Sequence, residues 1–133
     1  MKKLLVIGAS LALSAMTATT LANTLTLQSQ NEPNPISVMC NNIQGLPIPA
    51  NGQLGPLPYV SLYLLFQRKS TLNCKFSENG AQIGTATLQL GPKFQHAQIL
   101  SDSVASGYTV TVSPASALSQ FTPDITVTLT KNS

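Results

Sequence analysis

The sequence predicts an all-β, single-domain antiparallel β-sandwich of about eight strands with one disulfide. Three observations carry that prediction. Several segments alternate apolar and polar residues with period two, the pattern of a strand with one buried face. The polar partners in those segments are mostly Thr, Ser, Asn and Gln, and β-branched Thr suits an exposed pleat. Two cysteines, Cys40 and Cys74, both stand on the apolar parity of such segments.

The clearest strands are "GYTVTVS", with Tyr108, Val110 and Val112 opposed to Thr109 and Thr111, and "DITVTLT", with Ile125, Val127 and Leu129 opposed to Thr126, Thr128 and Thr130. "TLTLQ" (24–28), "ISVMCN" (36–41), "YVSLYLLFQ" (59–67) and "TLNCKFS" (71–77) read the same way, and "ATLQL" (86–90) and "FQHAQIL" (94–100) are weaker strands. Asn79-Gly80 supplies the positive φ that both central residues of a type I′ hairpin turn need. A hairpin centred there pairs Phe76 with Ile83, and simple alternation then exposes Leu88 and Leu90. A bulge at Gly84 returns both leucines to the core. In "SPASALSQF" (113–121), Ser113 as N-cap and Pro114 at the first helical position predict a helical turn between the last two strands.

The chain opens with Lys2 and Lys3, an apolar run from Leu4 to about Met16, and small residues leading to Ala22. That is the order of a secretory signal peptide, residues 1–22, with cleavage after Ala22. The apolar run is shorter than the ~20 residues that cross a bilayer and is interrupted by Gly8, Ser10 and Ser14. The expected product is residues 23–133, with no transmembrane segment and no lipid anchor, exported in a bacterium to the periplasm or the extracellular space. In such a compartment two core-facing cysteines form a disulfide, Cys40–Cys74.

Export also changes the charge. The mature chain keeps Arg68, Lys69, Lys75, Lys93 and Lys131 against Glu32, Glu78, Asp102 and Asp124, a net of +1. Only Arg68 and Lys69 are adjacent, so the clustered cations that neutralise phosphates are missing and nucleic acid is not the expected partner.

The residues also argue against an enzyme. His96 is the sole histidine, so a Ser-His-Asp arrangement must run through it, with Asp102 and the serines of "QHAQILSDS" near in sequence. Four dispersed carboxylates do not make a glycosidase pair, and Gly45, Gly52 and Gly55 follow neither phosphate-loop spacing. Two cysteines and one histidine fall short of a zinc site, so no cofactor and no metal is expected. Tyr59, Tyr63 and Tyr108 offer faces for a sugar, without any Trp beside them.

One segment stands apart. Residues 42–58, "NIQGLPIPANGQLGPLP", hold four prolines and three glycines and read as a long crossover loop whose tip lies near Asn51-Gly52. Its apolar residues Leu46, Ile48, Leu54 and Leu57 are the candidate partner contacts. Size, alternating strands and a single disulfide resemble bacterial pilins and immunoglobulin-like domains in general form, while the end "TLTKNS" lacks the near-terminal aromatic of a chaperone-assembled pilin. A likeness of that breadth transfers no function. The expectation is a non-enzymatic module that binds or organises a protein or another envelope macromolecule. The alternatives are an inhibitor of a secreted hydrolase and a small hydrolase using His96.

Overall fold

Period-two alternation becomes strand at β1 (Thr24–Gln30), β2 (Ser37–Cys40), β5 (Thr71–Glu78), β8 (Tyr108–Ser113) and β9 (Ile125–Lys131). The computed structural model describes residues 23–133; the expected signal peptide lies outside the described residues. The remaining strands are β3 (Ile43–Gln44), β4 (Gln53–Pro58), β6 (Ala81–Leu90) and β7 (Ala97–Val104). They form two sheets, ordered β4-β1-β9-β8 and β3-β2-β5-β6-β7. Leu25, Leu27, Val127 and Leu129 of the first face Val38, Leu72, Phe76, Leu88 and Ile99 of the second, and all are buried. The result is the β-sandwich expected.

Every strand pair is antiparallel except one. β1 runs parallel to β9 in continuous register from Leu25↔Ile125 to Gln30↔Thr130. Residues 31–36 lift the chain from one sheet to the other immediately after β1, so no hairpin forces an antiparallel neighbour on it.

The hairpin at Asn79-Gly80 forms, with φ of 51° and 84° at its two central residues. Phe76 pairs with Gly84 and Ser77 with Gln82, so the residue that bulges out of register is Ile83, one before the expected position. The purpose is the one the pattern demanded, since Ile83, Leu88 and Leu90 are all buried. A second irregularity between Ile99 and Ser101 leaves Leu100 exposed on β7.

Three local expectations change. "YVSLYLLFQ" is not a strand: Tyr59–Leu65 form α1, and Tyr59, Leu62 and Phe66, spaced at i, i+3 and i+7, turn one helical face into the core. An almost unbroken apolar run fits period two and period 3.6 alike, and the three-dimensional packing selects the helix. The Tyr59 N–H, an orphan donor at the helix start, is satisfied by the Asn23 carbonyl at 2.9 Å. Residues 42–58 are not one loop, because they contain β3 and β4; the crossover proper is 45–52. Within it, Ile48 and Ile36 exchange both backbone hydrogen bonds, at 2.8 and 2.9 Å. Finally, the helical turn after β8 is a 3-10 turn over Ala115–Leu118 with Pro114, not Ser113, at its cap, and Ser113 makes no side-chain capping bond.

The disulfide joins Cys40 and Cys74, which are directly opposed on adjacent strands β2 and β5, so it ties neighbours within one sheet rather than sheet to sheet.

Candidate functional site

β3 and β4 are the outer strands of their sheets; the crossover joins them, α1 follows β4, and crossover and helix together close this end of the sandwich. Behind that closure lies an apolar cavity of about 70 Å³ between the sheets. Leu25 and Leu27 of β1, Leu54 and Leu57 of β4, and Val38, Leu72, Phe76 and Leu88 of the facing sheet contribute its walls, together with both cysteines, Cys40 and Cys74. Water needs several polar partners to occupy such a space, and these walls are hydrocarbon and sulfur, so the cavity is dry.

Leu46 of the crossover and Leu65 of α1 also line the cavity, yet they are 67% and 60% exposed. They form its mouth. Val60 and Leu64, one turn apart on α1, are exposed as well. Exposed apolar residues beside an apolar cavity mark surfaces that meet partners.

The four candidate contacts therefore separate. Leu46 stands exposed at the mouth, Leu54 and Leu57 are half-buried in the wall, and Ile48 is wholly buried against Ile36 and does not line the cavity. The crossover is held firmly to β1: the Ser29 hydroxyl donates to the Pro49 carbonyl at 2.7 Å, and the Ser29 N–H donates to the Gly52 carbonyl at 2.9 Å. α1 is steadied from the other side by Phe94, whose ring centroid lies 4.7 Å from that of Tyr63. Tyr59 is fully buried and its hydroxyl reaches the Thr122 carbonyl at 3.4 Å; burial, with the nearby Asp124 charge, pushes its phenol well above the ordinary tyrosine range.

A polar cluster occupies a different part of the sandwich. Glu32, in the β1–β2 connection, is 1% exposed, and Glu78, the last residue of β5, is 5% exposed. Asn34 Nδ2 donates to Glu78 Oε2 at 2.9 Å, Lys131 Nζ lies 3.3 Å from both Glu78 oxygens, and the Tyr108 hydroxyl donates to Glu78 Oε1. The neighbouring Glu32 carboxyl, together with hydrogen bonds from Tyr108 and Asn34, holds the Glu78 carboxyl down at about 2. Burial pushes the Glu32 carboxyl up, and the neighbouring Glu78 carboxyl pushes the same way. The Tyr108 phenol is pushed up to about 12 by its bond to the Glu78 carboxylate.

Sequence reading passed over this cluster, although strand parity held part of the signal. Glu78 follows Leu72, Cys74 and Phe76 on the inward face of β5, Lys131 follows Val127 and Leu129 on that of β9, and Tyr108 leads the inward face of β8. Glu32 lies in an aperiodic connection and carries no such mark.

His96 is exposed just before β7, and among the described residues its imidazole makes no hydrogen bond to Asp102 or to a serine. Among the described residues no group of three or more His, Cys, Asp or Glu side chains is arranged to hold a metal ion, and no helix is long and apolar enough to cross a membrane. Neither a protein-family model, nor a curated protein, nor a solved structure matches this chain.

Proposed function

We propose that the chain is an exported, non-enzymatic β-sandwich that binds a protein partner at the cell envelope or outside the cell, seating an aliphatic side chain of that partner at the mouth between Leu46 and Leu65. The observation that carries this reading is the pairing of a dry apolar cavity with two leucines that line it and yet remain more than half exposed. Their exposure to water is unfavourable by ~25 cal/mol for each Å² of apolar surface, and a partner that covers them recovers it. The leader-like residues 1–22 and the Cys40–Cys74 disulfide support an oxidising destination. The mature net charge of +1 and the neutral-polar strand faces favour a contact made by shape and apolar area over one made by charge.

The test is affinity capture from envelope extract and culture fluid, with residues 23–133 as bait beside a Leu46→Asp, Leu65→Asp double variant. The reading expects a protein retained by the first and lost by the second at unchanged melting temperature. Equal capture by both baits refutes it.

Inhibition of a secreted hydrolase is a narrower form of the same reading. It is favoured by the fixing of the crossover to β1, because a loop already held in one conformation loses little freedom on insertion into a cleft. Slowed turnover in a panel of secreted hydrolases, relieved by Leu46→Asp, distinguishes it.

A further inference from the structure

Among the described residues one side-chain atom is both buried and without a hydrogen-bond partner, Glu32 Oε2. The rest of that residue is well fixed. Its N–H donates to Asn51 Oδ1 at 2.9 Å, and its Oε1 accepts from the Asn34 N–H at 3.3 Å. The charged and titratable groups around it come from three strands: Glu78 from β5, Tyr108 from β8 and Lys131 from β9. The donors of this cluster converge on Glu78, leaving Glu32 Oε2 with none. Two carboxyls, one cation and one orphaned oxygen have a simple solution. A proton on Glu32 Oε2 turns the orphan into a donor, and the Glu78 carboxylate is the acceptor beside it.

We infer that this proton is a latch: while Glu32 carries it, the β1–β2 connection is held on the sandwich, and when rising pH removes it, two buried carboxylates oppose each other and the connection loosens. Asn51 also ties this connection to the crossover, its Oδ1 accepting from the Glu32 N–H at 2.9 Å.

The sign of the pH dependence follows from counting protons. The folded pair holds one proton over a range in which the unfolded chain holds two below about pH 4 and none above about pH 5. Glu32, raised in the folded state, stabilises fully below its unfolded value and loses that contribution as pH rises through its folded value. Over that upper range the folded-to-unfolded ratio falls by up to tenfold per pH unit.

The experiment compares the mature chain with Glu32→Gln, whose amide donates to Glu78 without a titrating proton. Urea unfolding from about pH 5 to pH 9 is expected to show a falling midpoint for the parent and a flat one for the variant. Amide protection at residues 31–36, corrected for intrinsic exchange, is expected to drop at least tenfold across that range in the parent alone. Parallel curves for the two proteins overturn the inference. If Glu32→Gln does not fold, the carboxyl of Glu32 is followed directly by ¹³C NMR in the parent. Titration in the ordinary range of about 4–5 overturns the latch, and titration above it supports it.

Discussion

Cys40 and Cys74 face each other directly across β2 and β5, their Cα atoms 4.0 Å apart, and their bond closes an excursion of 34 residues. That excursion holds β3, the crossover, β4 and α1. The disulfide thus shuts the neck of the segment that builds the cavity mouth. Opening it restores freedom to the unfolded loop, at about 3–4 kcal/mol for a loop of this length. The Cys40→Ala, Cys74→Ala double variant is expected to unfold at lower urea by that amount. Exported parent protein is expected to show no alkylatable thiol and a mass lower by two hydrogens.

Leu46 and Ile48 sit two residues apart and are expected to behave oppositely. Ile48 is 0% exposed, so Ile48→Ala removes packed methyl groups and costs about 2–5 kcal/mol by chemical denaturation. Leu46 is 67% exposed, so Leu46→Ala leaves stability within about 0.5 kcal/mol while partner capture falls. Reversal of the pair would place the contact surface elsewhere.

Gly84 is a close approach of two backbones. A Cβ built there lies 2.9 Å from the Ser103 carbonyl oxygen on β7, nearer than such atoms come, and a backbone group has little room to yield. Gly84→Ala is expected to cost about 1–3 kcal/mol, read from the shift in the urea midpoint.

The acid side of the stability profile belongs to Glu78. Its folded carboxyl lies at about 2, below the ordinary 4.5, because the neighbouring Glu32 carboxyl and the hydrogen bonds from Tyr108 and Asn34 favour its charged form. A depressed carboxyl stabilises above its unfolded value and loses that contribution as pH falls toward the folded one. Melting temperature is therefore expected to decline between about pH 4.5 and pH 2 in the parent, and less steeply in Glu78→Gln.

Much of this architecture is legible in the chain because strand parity is a local property. Thr126, Thr128 and Thr130 set against Ile125, Val127 and Leu129 declare β9 without reference to anything else. The same parity placed Cys40 and Cys74 inward, and Asn79-Gly80 gave the hairpin. What escaped depends on distant residues. Tyr59, Leu62 and Phe66 form a helical face only because the sandwich offers them a place to be buried, and the run "YVSLYLL" by itself serves either period. Leu54 and Leu57 became strand because β1 was there to pair with them. The apolar mouth is half legible: Leu46 stands out in the proline-rich segment, but Leu65 lies in a run that reads as strand, and nothing in its neighbours shows that it lines the same cavity as Leu46. Glu32 and Glu78, 46 positions apart, carry no spacing that announces a shared proton.

The parallel pairing of β1 with β9 has a consequence in time. Leu25 and Ile125 are partners separated by 100 residues, and the Thr24 N–H is likewise bonded to Asp124 Oδ1. Emerging N-terminus first during synthesis, the chain presents β1 well before β9. Until residues 125–131 arrive, β1 has only β4 beside it and the four-stranded sheet is missing its middle. Contacts of such long range are slow to form and reward the chain only at the end. The four-stranded sheet is therefore expected to set late, once residues 125–131 reach β1.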